Sequence, residues 1–166
     1  SCVPIAAQTS RESLLMSSLL IVYHTQSGSC AALARAARKG ASLEASVEVV
    51  VRRACDAGIE DLATADGLLL VAAENSGSLS GACKDFLDRV FYPAIERAVV
   101  LPYVLLVSAG NDGRGAVKQA ERILRGIPLK PVAEAQIFRG VPEQKHLQLS
   151  HEAGQGLAAG LAMGIF

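Results

Sequence analysis

The chain has 166 residues, the size of one domain that buries about two-thirds of the surface its unfolded form exposes. Apolar residues make up 51% and charged residues 19%, which excludes general disorder, and 16 basic residues balance 16 acidic ones, which removes the electrostatic footprint of a nucleic-acid binder. No stretch reaches the ~18 consecutive apolar residues of a membrane span, and the expected setting is cytoplasmic.

Residues 1–15 lack a basic segment followed by an apolar run, so they do not read as a signal peptide. Residues 1–17 are expected to be an extension outside the core, with the domain spanning residues 18–166. Leu19–Tyr23 is an unbroken apolar run of strand length, as in a strand buried on both faces. Cys30–Lys39 is alanine-rich, with Leu33 on one face and Arg35, Arg38 and Lys39 on the other, and Gly40 offers a helix stop. Val47–Val51 is β-branched and predicts a second strand, and Gly67–Ala72 a third.

From Gly81 to Val100, Phe86, Leu87, Val90, Phe91 and Ile95 recur at helical spacing. Pro93 is expected to kink or interrupt that helix, because it lacks an amide proton and crowds the preceding turn. Tyr103–Val107 is the fourth strand, Ala116–Leu124 a helix ended by Gly126, and Val132–Phe138 the region of a fifth strand. The last helix is expected to start at Ser150 as its cap and run toward Met163, with Gly154, Gly156 and Gly160 packed closely on the sheet or on a second subunit.

Alternating strands and helices predict an α/β fold with a five-stranded, doubly wound parallel sheet and helices on both faces. Such sheets bind ligands outside the carboxyl ends of their strands, where the strand order switches. The loops after strands one, three and four are therefore the informative ones.

After strand one come His24, Thr25, Gln26, Ser27, Gly28, Ser29 and Cys30, directly before a helix. Three hydroxyls, a permissive glycine and the helix-start amides converge there in a way that suits an anion. The loop does not fit Gx4GK[ST] and holds no lysine, which disfavours a P-loop. His24 at the strand end is either a neighbour of that anion or an ordinary hydrogen-bonded histidine.

After strand three, Glu74, Asn75, Ser76, Gly77 and Ser78 form a polar, glycine-bearing segment able to offer backbone groups to the edge of a planar heterocycle, with Ser80 as a helix cap. After strand four, Ser108, Ala109 and Gly110 are small enough for a flat ring to lie against backbone. Arg114 beyond them is either a phosphate contact for an incoming cofactor or a solvated loop charge.

Cys2, Cys30, Cys55 and Cys83 are scattered without CxxC spacing or a histidine at ligand spacing, which argues against zinc. Cys55 and Cys83 read as reduced, buried or half-buried residues. His146 and His151 read as surface or capping residues.

Thr25-x-Ser27-Gly28-x-Cys30 resembles the phosphate loop of flavodoxin-like proteins. Gly77-Ser78-Leu79-Ser80-Gly81 followed by Phe86-Leu87-Asp88 resembles the corresponding segment of WrbA-type NAD(P)H:quinone oxidoreductases and the loop of NADPH-dependent FMN reductases. The resemblance covers most of residues 18–125. It implies FMN as cofactor and NAD(P)H as reductant, with a quinone or similar small molecule as electron acceptor. It also implies Thr25–Cys30 around the phosphate, Glu74–Ser78 along the isoalloxazine and Ser108–Gly110 beside ribityl or ring. The flavin supplies the redox chemistry, so no side chain is assigned as an acid–base catalyst. Sites in the resembled family are commonly completed between subunits, which makes a homo-oligomer possible.

The sequence departs from the family pattern in three places. Cys30 stands where a hydroxyl residue is usual, no aromatic lies in the second loop, and Asn111-Asp112-Gly113 replaces a histidine after strand four. Two further readings therefore stand beside the reductase: a flavodoxin-type electron carrier, and a flavodoxin-like binding module without FMN.

Overall fold

The computed structural model describes residues 16–166; of the proposed extension over residues 1–17, residues 1–15 lie outside the described residues, whereas Ser17 opens the first strand and pairs with Val47. The elements, in chain order, are β1 (Ser17–Tyr23), α1 (Ser29–Ala41), β2 (Val47–Arg53), α2 (Ile59–Ala63), β3 (Gly67–Asn75), β4 (Ser78–Leu79), α3 (Gly81–Glu96), β5 (Pro102–Ala109), α4 (Arg114–Gly126), β6 (Lys130–Pro131), β7 (Gln136–Arg139) and α5 (Gln144–Met163). The strands pair in the order β2-β1-β3-β5, and both β6 and β7 lie against β5. All these pairings are parallel; the exception is β4, which folds back antiparallel on the end of β3.

Alternate residues of the central strands face opposite layers, as the pleat requires. Leu20, Val22, Leu68, Leu70 and Leu105 pack with Phe86, Leu87, Val90 and Leu124 of α3 and α4. Leu19, Ile21, Leu69, Val71 and Leu106 pack with Leu33, Ala37, Leu157 and Ala158 of α1 and α5. Complete burial of such aliphatic side chains contributes about 1.5–3 kcal/mol each, so this double-faced core is the main source of stability.

Several expectations are corrected. α3 runs through Pro93 without interruption and ends at Glu96, one turn later. Pro93 lies in the C-terminal part of the helix, so the Arg89 carbonyl four residues earlier loses its intrahelical donor, and fully buried Ala94 helps to keep the last turn on the core. Gly40 is not a stop: it lies inside α1, and a Cβ there would strike the backbone carbonyl of His151 in α5. The fifth strand is split, because β6 and β7 take successive stretches of β5's edge with residues 132–135 between them.

The last helix begins at Gln144, and Ser150 is an interior, fully buried residue rather than the cap. Its start is instead fixed by the Glu143 N–H donating to His146 Nδ1 at 3.1 Å, so His146 does serve as a capping residue. The tight partner of Gly154 is α1, whose Ala37 carbonyl a Cβ would strike, while Gly160 faces the Phe166 ring. Cys55 is exposed, whereas Cys83 is buried.

Candidate functional site

β1, β3, β5 and β7 end at one edge of the sheet, and the segments that leave them enclose a cleft of about 320 Å³, within the size range of small-molecule sites. The first wall is the β1–α1 loop. Gly28 adopts φ 95° there, a left-handed conformation that suits glycine, and places the chain at the start of α1. Its N–H donates to Thr25 Oγ1 at 3.0 Å, and Ser27 Oγ donates to Ser29 Oγ at 3.3 Å. The loop is thus curled around its own hydroxyls, while the first-turn amides of α1 have no intrahelical acceptor. Thr25, Gln26, Ser27, Ser29 and Cys30 line the cleft together with His24, and Gly28 sits in the turn among them.

The second wall is the end of β3. Glu74 and Asn75 line the cleft, with Ala73 beside them. The segment after them is a hairpin rather than a long open loop: Glu74 pairs with Leu79 and Asn75 with Ser78. Ser76 and Gly77 make the turn with φ of 51° and 77°, the two positive values that a type I′ connection needs. This geometry projects Ser76, Gly77 and Ser78 beyond the cleft wall, and they are not among its lining residues. The hairpin leans on α4, where Gln119 Oε1 accepts the Leu79 N–H at 2.9 Å. Ser80 occupies the N-cap position of α3, but its hydroxyl does not cap the helix.

The third wall is Ser108, Ala109 and Gly110 at the end of β5. Two cross-links hold the walls together: Asn75 Nδ2 donates to Gln26 Oε1 at 2.9 Å, and Gly113 N–H donates to Glu74 Oε2 at 2.6 Å. Glu74 therefore ties the second wall to the third. Gly140 and Val141, after β7, complete the lining, and the Gly140 N–H donates to the Ala109 carbonyl at 2.9 Å. Sequence reasoning missed these two. The Gly-Val-Pro stretch after the fifth strand is the signal that could have found them, once strand-end loops were followed to the last strand.

Cys30 lines the cleft, yet its thiol donates inward to the Ala72 carbonyl of β3 at 3.4 Å. Burial pushes this thiol from 9.0 up to about 12, with Cys83 adding to the effect and hydrogen bonding with Ser108 opposing it. Burial also raises the Cys83 thiol. Because the unfolded chain would ionise these thiols near 9 while the folded chain would not, the folded state loses stability as pH rises from about 9 toward 12. Urea midpoints measured from pH 8 to pH 10.5 are expected to fall, and to fall less steeply in Cys30→Ala. Equal slopes in both proteins would contradict this account.

The donor set around the first loop is hydroxyls and amides without a carboxylate, which fits a phosphate monoester. The far end of the cleft is small and apolar or backbone in character, at Ala73, Ala109, Gly110 and Val141, which fits a flat ring. Among the lining residues His24 carries the one ring, so no tyrosine or tryptophan is available there for stacking. No described group of His, Cys, Asp and Glu is arranged to hold a metal, and no described helix is long and apolar enough to cross a membrane.

An open parallel sheet in this order, with its cleft at the switch point between β1 and β3, defines the flavodoxin-like class, for which flavodoxin itself is the standing example of the rule. The chain belongs to the NADPH-dependent FMN reductase family, whose model matches residues 19–140. FMN is thus the flavin and NADPH the reductant of the chemistry to which this chain belongs.

Solved structures agree on the fold. A flavodoxin from the domain Archaea superposes with a TM-score of 0.76 at 19% identity, over 86% of this chain and 96% of that one. A WrbA-like flavodoxin from Agrobacterium tumefaciens gives 0.71 at 16% identity, over 86% and 96%. The flavodiiron protein from Giardia intestinalis gives 0.75 at 16% identity, over 92% of this chain but only 39% of that one. No curated protein matches the chain.

Proposed function

We propose that this protein is an FMN-binding oxidoreductase that passes reducing equivalents from NAD(P)H to a quinone or similar small acceptor in the cytoplasm. The observation that carries the proposal is the convergence of three strand-end segments on one cleft, with the start of α1 at one end of it. In this reading the amides of Ser29 and Cys30, with the hydroxyls of Thr25, Ser27 and Ser29, hold the phosphate, favoured by the positive end of the helix dipole. Gly28 permits the close backbone approach.

Ala73–Asn75 would flank one side of the ring and Ser108–Gly110 the other, with Gln26 fixed by Asn75. Ser76, Gly77 and Ser78 would act at the outer edge of the flavin, as the tip of the hairpin. Cys30 contributes its amide rather than its thiol, since the thiol is turned toward Ala72. When bound, FMN would supply the hydride and electron chemistry; the chain's part is to bind it, orient it and leave one face open. A second subunit could cover that open face and supply the stacking aromatic side chain that the described lining residues do not offer.

The FMN-loaded protein is expected to oxidise NADPH saturably with benzoquinone as acceptor, and the apo-protein is not. Failure of the loaded protein to oxidise either nicotinamide nucleotide would overturn the reductase reading.

One observation favours the electron-carrier reading. The whole chain is neutral, but α1 presents Arg35, Arg38 and Lys39 on one face, without an acidic residue in the helix. These side chains lie further along α1 than the cleft-lining Ser29 and Cys30, and a one-signed face of this kind is a feature that steers a charged redox partner.

A further inference from the structure

The anion-binding end of the cleft is built from hydroxyls and amides and contains no lysine or arginine, whereas two guanidinium groups stand on the opposite rim. Arg114 opens α4, and Arg139 closes β7 immediately before the cleft-lining Gly140 and Val141. Asp112 holds both. Arg114 Nε and Nη2 donate to its two carboxylate oxygens at 2.6 and 3.2 Å, a bidentate grip. Arg139 Nε donates to the Asp112 backbone carbonyl at 3.0 Å, and its Nη2 lies 4.0 Å from the carboxylate.

Two positive charges thus share one negative charge. The arginine side chains remain 79% and 54% exposed, so donors are left facing solvent. The rim is joined to the cleft through backbone, because the Gly140 N–H donates to Ala109 and the Gly113 N–H to Glu74. The result is a cationic pair at the rim, with Arg139 next to the cleft-lining Gly140 and Arg114 beyond the cleft-lining Gly110, separate from the place where a flavin phosphate would sit.

We propose that Arg114 and Arg139 form the site that recognises the 2′-phosphate of NADPH and so selects it over NADH. This rests on the reading of the protein as a nicotinamide-dependent flavin reductase. A phosphate monoester dianion is the ligand that such a pair fits: guanidinium groups match its oxygens in pairs, and the Asp112 contacts have already ordered them. Asp112 also restrains the site, since its carboxylate offsets one of the two positive charges, and the Glu74 carboxylate held by the Gly113 N–H adds a second negative charge nearby. A nucleotide without the 2′-phosphate gains nothing from the arginine pair.

The test has a binding arm and a kinetic arm. By calorimetry on the FMN-loaded protein, adenosine 2′,5′-bisphosphate is expected to bind at least tenfold tighter than 5′-AMP, and Arg139→Gln is expected to remove most of that difference. Arg114→Gln should act in the same direction. Melting temperatures within a few degrees of the parent will show that both variants fold.

In turnover with benzoquinone, each variant is expected to raise the NADPH KM about tenfold while leaving the NADH KM, kcat and FMN affinity unchanged. Equal binding of the two adenosine nucleotides by the parent protein would overturn the proposal. An unchanged preference in both variants, or equal weakening of NADPH and NADH, would do the same. If neither nucleotide is oxidised yet the bisphosphate binds through these arginines, the reductase reading fails and the anion site stands.

Discussion

Gly28→Asp is expected to lower FMN affinity on the order of 100-fold while leaving the fold intact. A Cβ at Gly28 would meet nothing within 4 Å, so packing is not the cause. Two other effects act there. The backbone stands at φ 95°, where a side chain costs about 1–2 kcal/mol. A carboxylate would also face the phosphate across a few ångströms, a repulsion of roughly 1–4 kcal/mol at intermediate dielectric. Gly28→Asn shares the backbone strain but not the charge, and should lose about tenfold or less. Calorimetric titration of all three proteins with FMN separates the effects. Equal losses in the aspartate and asparagine variants would remove the phosphate from this loop.

The contact between α1 and α5 is the other place where a small change should have a large effect. A Cβ at Gly154 would strike the Ala37 carbonyl, and one at Gly40 would strike the His151 carbonyl. Backbone cannot yield as a side chain does, so either substitution must separate the helices. Gly154→Ala gains up to about 1 kcal/mol of helix propensity, but the overpacking outweighs it, and a net loss of about 2 kcal/mol is expected. That corresponds to a melting temperature lower by roughly 4–8 °C for a domain of this size.

Gly156 lies in the same helix with nothing within 4 Å of a Cβ, so Gly156→Ala should instead stabilise by about 0.5–1 kcal/mol. Because one separation relieves both contacts, the double variant Gly40→Ala/Gly154→Ala should cost less than the sum of the two single changes. Urea unfolding checks all four variants. A stabilised Gly154→Ala would mean that the helices do not approach as described.

β1, β3 and β5 were legible because strands buried on both faces are continuous apolar runs, and their carboxyl ends led to the cleft without further information. The start of α5 was not legible. Its glycines depress helix propensity, and what stabilises them is the close approach to α1, a tertiary contact that no local pattern announces. Gly40 was misread for the same reason, since a glycine at the end of a periodic run looks like a stop until its partner helix is known.

The β3–β4 hairpin hid within a polar stretch: the Ser76-Gly77 turn is specified by two positive φ values, and strand pairing then draws Glu74 and Asn75 into the wall while Ser76–Ser78 pass beyond it. Pro93 shows a local rule yielding to packing near a helix end. The family motif marked the β1–α1 loop at Thr25–Cys30, but nothing near Arg139 signalled that it would meet Arg114 across Asp112, because only the pairing of β7 with β5 brings them together.

The most direct test of the central claim is an amide-shift titration of the isotopically labelled apo-protein with FMN, practical for a chain of 17.3 kDa. Saturable shifts are expected at Thr25–Ala31, Ala73–Asn75, Ser108–Gly110 and Gly140–Val141, with the strongest at the amides of Ser29 and Cys30. Absence of saturable shifts, or shifts gathered on the β2 edge or the opposite end of the sheet, would contradict the cleft as the flavin site.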